Sequence, residues 1–434
     1  MRALFRTSSA VALGCALMTL GCAIPSQPAA AQTSMGVNYN GTFTAFNITD
    51  VTNSKTTWIR GFYDITALLK RDGTCAVSTV QSDPNLTEIN TIHKSYSQYR
   101  LALNLKYDFS EWGGGTPPTD TSSTEYTTLQ TCTNRVLDYV YPSLSQLVSG
   151  NEPFITNAPT SQAVTTFYEN ITNSDIAYNH ANAGKSITGS AIPLYVGAFN
   201  NLEKASFQTT PVNELMQYAA NTSGVTGIDL HLHVSSFNGN NGAEGTDPTG
   251  GLVAAVQYAQ SVFGAKKKMM SSEFSLVNYF ENYLSDSLSS TFLADYPDPG
   301  QCYVDVTGSE SVLGFINCAI TSGGVPNTEW YDFLKFGDAE HPTYFTDRAL
   351  SQNGVQNFLA QSESFFSSNN FSVATYAMVQ NRKNILSSGN PNSPYAIQPW
   401  VLNPLFCDST CVLNSSGNHE QNLDWIGDFW AQQP

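Results

Sequence analysis

Two short segments of this 434-residue chain place a carboxylate among small or polar neighbours: Asn151-Glu152-Pro153 and Ser272-Glu273-Phe274. Each glutamate closes a run that reads as a β-strand, Leu147-Val-Ser-Gly-Asn-Glu152 and Lys268-Met-Met-Ser-Ser-Glu273. Two carboxyl groups in one cleft can divide the work of breaking a glycosidic bond. One donates a proton to the departing oxygen while the other attacks the anomeric carbon. A third run, Gly227-Ile-Asp-Leu-His-Leu-His-Val234, alternates Ile228, Leu230 and Leu232 with Asp229, His231 and His233. On a strand, that period of two sends the polar set to one face. The same period in Thr57-Trp-Ile-Arg-Gly-Phe-Tyr63 puts Trp58, Arg60 and Phe62 together. A buried Arg60 needs an acidic partner, and Glu273 would serve. Two histidines of one strand can also share a metal ion. The further ligands are not evident in the sequence, so no metal and no cofactor is expected.

The elements that must position these residues follow from the remaining β-like runs. Met35-Gly-Val-Asn-Tyr39, Arg100-Leu-Ala-Leu-Asn-Leu-Lys-Tyr107, Ile192-Pro-Leu-Tyr-Val-Gly197 and Ser372-Val-Ala-Thr-Tyr-Ala-Met378 bring the total to eight. Helical patterns lie between most of them, including 125–144, 211–220 and 250–263. Alternating strand and helix predicts a parallel sheet, and eight such units predict a closed α/β (β/α)8 TIM barrel. In that fold active sites lie at the C-terminal strand ends, and strands four and seven face one another across the mouth. An open doubly wound sheet competes, but no Gly-x-Gly-x-x-Gly follows the first strand and no strand leads into a P-loop. The chain exceeds a minimal barrel, so insertions are expected. The largest is 281–350, between strands seven and eight, with Cys302 and Cys318 inside it. The stretch from Pro399 is expected to wrap the barrel and end in a helix over 424–430.

Composition narrows the function classes. With 19 Lys+Arg against 35 Asp+Glu, the formal net charge is −16. Nucleic-acid binding is thereby disfavoured, because it needs a basic face to release counterions. Charged and aromatic residues each make up 12% of the chain, whereas disordered chains are rich in charge and poor in aromatics. Arg2 and Arg6 precede an apolar stretch, Ala10-Val-Ala-Leu-Gly-Cys-Ala-Leu-Met-Thr-Leu20, and small residues at Pro28-Ala29-Ala30-Ala31. This reads as a signal peptide over 1–31, cleaved near Ala31, followed by a single domain over 32–434. A lipoprotein motif through Leu20-Gly21-Cys22 stays open, although Thr19 fits it poorly. No later segment has the apolar length of a membrane span. The expectation is a secreted monomer. Beyond Ala31 remain six cysteines, an even count that suits disulfides in an exported chain. Cys302–Cys318 and Cys407–Cys411 are natural local pairs, leaving Cys75–Cys132.

The arrangement resembles clan A of the retaining glycoside hydrolases, a barrel group that includes many cellulases, β-mannanases and β-glucosidases. Asn151-Glu152 at the fourth strand and Glu273 at the seventh match that clan's two catalytic motifs, in order and in setting. The resemblance implies that Glu152 is the acid/base, Glu273 the nucleophile, and Asn151 a binder of the sugar 2-hydroxyl. It makes Arg60 the clan's strand-two arginine and Trp400, in Gln398-Pro-Trp-Val-Leu-Asn-Pro-Leu405, its tryptophan. His231 and Asn38 are further candidates for substrate binding. Many clan members carry His-x-Tyr on the sixth strand, whereas this chain has His231-x-His233, so His233 stands where a tyrosine would bond the nucleophile.

On this reading the partner is a poly- or oligosaccharide, and the acid/base should have a raised pKa from burial beside the nucleophile. Sugar rings stack on aromatic faces, so Tyr39, Trp58, Trp112, Tyr195 and Phe274 are cleft candidates beside Trp400. Each could equally fill the core. Two rival classes remain: a catalytically silent carbohydrate-binding barrel, and a metallohydrolase built on His231 and His233. The first need not keep both glutamates; metal analysis separates the second.

Overall fold

The computed structural model describes residues 33–234 apart from 42, 54–55, 111 and 156, then 252–264, 266–285, 311–323 and 352–377, with 379–380 and 406–407. Eight parallel strands close into a barrel in chain order. They are β1 (Ser34–Asn38), β2 (Trp58–Asp64), β3 (Arg100–Lys106), β4 (Gln146–Ser149), β5 (Leu194–Phe199), β6 (Gly227–His233), β7 (Lys268–Ser275) and β8 (Phe371–Ala377). Closure is made by β1, which pairs with β2 on one side and β8 on the other. The expected barrel is therefore the observed one. The expected 281–350 insertion and the C-terminal wrap lie mostly outside the described residues, as does the leader over 1–31.

Period-two alternation divides each strand between two cores. Ile59, Leu101, Leu103, Leu147, Leu194 and Ile228 face outward into a continuous apolar layer under the helices. Each such side chain, fully buried, contributes about 1.5–3 kcal/mol. Inside the barrel, Trp58, Ala102 and Val373 form one small cluster and Val148, Tyr195 and Met270 another. The indole of Trp58 fits because β1 offers Gly36 beside it; a Cβ there would stand 2.6 Å from the Trp58 Cβ. With these apolar groups filling the interior, the polar residues of the same strands are left to form a separate layer.

The helices owe their packing to the usual three- and four-residue spacing. Over Thr124–Val140 the buried set is Tyr126, Leu129, Cys132, Thr133, Val136, Leu137 and Val140, and the Ser123 side chain caps the helix by accepting from Tyr126 N. The sequence predicts this helix as far as 144. It ends at Val140 because Pro142 lacks an N–H and disfavours helical geometry before it, leaving a 3-10 turn over Tyr141–Ser143. Cys132 of this helix is bonded to Cys75, with Cα atoms 5.4 Å apart, which ties the helix to the segment after β2. Cys318 is disulfide-bonded too, while Cys302 and Cys411 lie outside the described residues.

Candidate active site

The first glutamate stands beyond its strand. Pairing of β4 stops at Ser149, so Asn151 and Glu152 belong to the turn that follows rather than to the strand the sequence predicts through Glu152. Two backbone positions shape this turn. Gly150 has φ +122°, and a Cβ on it would lie 1.8 Å from the Gly197 carbonyl oxygen of β5. Only glycine lets the two backbones approach so closely. Glu152 itself has φ +52°, a left-handed conformation that costs a non-glycine residue about 1–2 kcal/mol. Such strain persists where surrounding bonds over-determine it. Here Asn200 Nδ2 donates to Glu152 Oε1 at 2.6 Å, and His231 Nδ1 lies 3.0 Å from the same oxygen.

The second glutamate is aimed by a break in its strand. Strict alternation would send Ser272 and Glu273 to opposite faces. Between β6 and β7 the register slips: Asp229 faces Met270, but His231 faces Glu273. The extra residue is a β-bulge, a device that re-aims side chains. Ser272 Oγ then donates to Asp229 at 2.5 Å inside the barrel, while its neighbour Glu273 also points inward and meets Arg60. Phe274 turns outward and packs edge-on against Phe366 and Tyr376. The strand continues to Ser275 rather than ending at Glu273.

Arg60 joins the two motifs. It is wholly buried, and its donors are distributed around the polar layer. Nη1 donates to Glu273 Oε2 at 3.2 Å and to Asn38 Oδ1 at 3.0 Å, and Nε donates to Asn104 Oδ1 at 3.1 Å. Nη2 donates to Asn151 Oδ1. Burial pushes the guanidinium pKa down, against the opposing pull of Glu273, Asp229 and Glu152; guanidinium remains charged regardless. Beneath it, Asp229 accepts from Asn104 Nδ2 at 2.8 Å and from Ser272 N at 2.7 Å. Burial raises the Asp229 pKa, with His231 and Arg60 opposing.

The expectation of a raised Glu152 pKa is corrected. Burial does push it up, but the hydrogen bond and charge of His231, the charge of His233 and the Asn200 amide outweigh it and bring it down to about 2. His231 moves the other way. Burial lowers its pKa, but Glu273 and Glu152 more than offset this and raise it. One proton thus bridges Nδ1 and Oε1 and resides on the imidazole. His231 Nε2 stands 3.0 Å from Ser272 Oγ, which itself donates to Asp229, and 3.2 Å from Arg60 Nη2. His233 occupies the expected place, but its Nε2 is 3.9 Å from Glu273 Oε1, beyond hydrogen-bond length. Its Nδ1 lies 2.6 Å from Ser275 Oγ, and burial lowers its pKa despite Glu273 and Glu152.

The sequence candidates Asn38, Arg60, Asn151, Glu152, His231, His233 and Glu273 therefore converge at the C-terminal mouth. Trp400 lies outside the described residues. Of the aromatic candidates, Trp58 and Tyr195 fill the barrel interior. Phe274 and Tyr39 are buried in the outer core, and Trp112 packs against it. Asn104 and Asn200 were missed. Asn104 had a signal, since it shares the parity of Ala102 opposite Leu101, Leu103 and Leu105. Asn200 follows the end of β5 and had none. Glu152, His231 and His233 also offer one ligand atom each, all within 4.8 Å of one another, so this trio could hold a metal ion.

No protein-family model matches the chain, and no curated protein matches it in sequence. Among solved structures it is similar to native xylanase 10B from Thermotoga maritima, at 8% identity and TM-score 0.40, covering 92% of this chain and 95% of that one. It is similar to a GH10 endoxylanase retrieved from sugarcane soil metagenome, at 8% identity and TM-score 0.46, covering 92% and 97%. A double mutant of the β-glucosidase from Trichoderma harzianum gives 7% identity and TM-score 0.42, covering 93% and 98%. Identities and scores this low leave function to be read from the site itself.

Proposed function

We propose that the chain is an exported retaining glycoside hydrolase acting on a poly- or oligosaccharide. The observation that carries this reading is the convergence of two carboxylates on one imidazole nitrogen at the barrel mouth. His231 Nδ1 stands 3.0 Å from Glu152 Oε1 and 3.9 Å from Glu273 Oε2. Both glutamates thus line one small space, as double displacement requires.

Glu273 attacks the anomeric carbon, and the bond to the leaving oxygen breaks. Arg60 fixes the attacking carboxylate in place. The Glu152–His231 pair gives its single bridging proton to the departing oxygen. In the second step Glu152 takes a proton from water, the hydroxide attacks the anomeric carbon, and the ester to Glu273 is released. Asn151 spends its oxygen on Arg60, which leaves its NH2 to donate to a sugar hydroxyl. Export is supported by the basic and apolar leader in the sequence and by the Cys75–Cys132 disulfide, a bond of oxidising compartments.

A panel of dinitrophenyl 2-deoxy-2-fluoroglycosides tests the reading, because the fluorine slows the second step more than dinitrophenolate departure. Intact mass should rise by one fluoroglycosyl group, and peptide mapping should place it on Glu273. Hydrolysis of natural glycans with no label, or a label on another residue, would contradict the assignment.

A further inference from the structure

We propose that the rim of the barrel over β2 and β3 binds a second, neutral sugar residue of the substrate chain through Phe62, Asp64, Lys106 and Asp108. The inference rests on the function proposed above and specifies its substrate: a saccharide with at least two units on the side of the scissile bond that stays attached to Glu273. Period-two alternation puts Phe62 and Asp64 on the same face of β2 as Arg60, and Lys106 on the same face of β3 as Asn104. The register sets Phe62 beside Asn104 and Asp64 beside Lys106, so these side chains form the next layers above Arg60, towards the C-terminal mouth. The Phe62 ring centroid lies 5.8 Å from Arg60 Cζ, and Arg60 in turn holds Glu273 at 3.2 Å. One guanidinium therefore separates the ring from the nucleophile, which places Phe62 next to the attacked sugar rather than on it. The leaving group departs beside Glu152, whose partners Asn200 and His231 come from the end of β5 and from β6. In a ring of eight strands β2 lies opposite β6, so the rest of the glycosyl chain runs over β2 and β3.

The rim carries the groups such a sugar needs. Phe62 is only partly buried, unlike Trp58 of the same face, which fills the interior. Its ring seats its tip against Gly41, where a Cβ would stand 2.9 Å from Cε2 and Cζ. Lys106 Nζ lies 5.7 Å from the ring centroid, so apolar surface and a donor are presented together, to match the C–H groups and the hydroxyls of a pyranose. Asp64 Oδ1 accepts from Ala67 N at 2.9 Å and from Thr66 Oγ1 at 2.5 Å. Asp108 Oδ1 accepts from Ser110 N at 3.1 Å and from Ser110 Oγ at 2.5 Å. Both carboxylates are thereby fixed, with Oδ2 of each turned to Lys106 Nζ at 3.7 and 3.6 Å. These separations exceed a hydrogen bond, and the three side chains are 17–21% exposed. One donor and two acceptors thus stand in a fixed triangle at the solvent boundary with bonding capacity left over. A sugar diol can enter there, accepting from Nζ and donating to Oδ2 on either side. Charge sets the class. Two carboxylates against one ammonium leave the cluster net negative, which favours a neutral sugar over a uronate.

The test uses the full protein and 4-nitrophenyl glycosides of one and two sugars, in the gluco, xylo and manno series. Binding energy from a sugar remote from the reacting bond is available to the transition state. The second sugar should therefore raise wild-type kcat/KM by about tenfold or more, equivalent to about 1.4 kcal/mol. Phe62→Leu and Lys106→Met should each remove most of that gain, cutting kcat/KM about tenfold more on the two-sugar than on the one-sugar substrate. Lys106→Arg, which keeps a donor, should retain part of it. A purely structural role would lower both substrates alike, and circular dichroism establishes that each variant is folded. Titration calorimetry on Glu273→Gln with cellotriose, xylotriose, mannotriose and trigalacturonate gives a readout that needs no turnover. At least one neutral trisaccharide should bind, more weakly when Phe62→Leu is added, and trigalacturonate should bind less tightly than that trisaccharide. Equal losses on one- and two-sugar substrates, or an active wild type that gains nothing from the second sugar, overturn the subsite. So does the absence of trisaccharide binding at millimolar concentration. Tighter binding of trigalacturonate overturns the neutral class. Trisaccharide binding that weakens with Phe62→Leu, with no hydrolysis of any glycoside by the wild type, leaves the subsite standing and defeats the enzyme reading.

Discussion

Glu152 and His231 hold one proton between them, and its position has consequences that can be measured. The carboxyl is drawn from the 4.5 of a free glutamate to about 2, and the imidazole is raised above 6.5. A depressed carboxylate contributes stability that is complete above its unfolded value and fades as pH falls through its folded one. A raised histidine contributes stability that is complete below its unfolded value and fades as pH rises through its folded one. Both contributions are full between pH 4.5 and 6.5. The loss of melting temperature on His231→Asn should therefore be largest in that window and shrink on both sides. Catalysis should show the same coupling. Without His231, burial becomes the main influence on Glu152, and the proton to be donated must sit on the carboxyl itself. The alkaline limb of kcat/KM, where the general acid loses its proton, therefore passes from imidazole to carboxyl and moves to lower pH. An unmoved alkaline limb would mean that another group sets it. Activity at pH 6 should fall by about 10²–10⁴ if the pair acts as the general acid.

Each motif is delivered by a local irregularity in its element. The β4 turn depends on Gly150, whose missing Cβ admits the Gly197 carbonyl. Gly150→Ala should destabilise the protein by about 2–4 kcal/mol through steric and backbone strain, and denaturant unfolding measures this. Activity should drop further than stability, because Asn151 and Glu152 ride on the displaced turn. The regular parts of these strands were legible in the sequence, because period-two alternation sorts Arg60 from Ile59 and Asp229, His231 and His233 from their leucines. The irregular parts were not. Consecutive inward residues Ser272 and Glu273 need the β7 bulge, and no residue in that run announces it. The left-handed φ of Glu152 is equally silent in a sequence that puts no glycine there. Nor could aromatic content tell Trp58 and Tyr195, which plug the barrel interior, from residues lining a cleft. The lowered Glu152 pKa was missed for a related reason: burial is readable from a strand's pattern, but a 3.0 Å contact between β6 and the β4 turn is not.

At the scale of the whole molecule, barrel closure is what unites residues far apart in sequence. Arg60 meets Glu273 only because β1 pairs with both β2 and β8 and so closes the sheet. The Cys75–Cys132 bond fixes a helix to the outside of this barrel across a separation of 57 residues. Its removal by paired Ser substitution should cost about 2–5 kcal/mol, seen as a lower midpoint in denaturant, while the mouth keeps its geometry and kcat/KM at 25 °C stays within about twofold. A catalytic loss larger than the loss of folded protein would show that the bond supports the site directly. The central claim is that Glu273 is the nucleophile and Glu152 the acid/base, and product stereochemistry with azide tests it most directly. With an activated aryl glycoside, Glu152→Ala should form the glycosyl-enzyme and stall, and azide should release a glycosyl azide of retained configuration. Glu273→Ala should be inactive alone and, with azide entering the vacated face, should give the inverted azide. The opposite pairing of products would reverse the roles, and hydrolysis undiminished in both variants would remove these two residues from the chemistry.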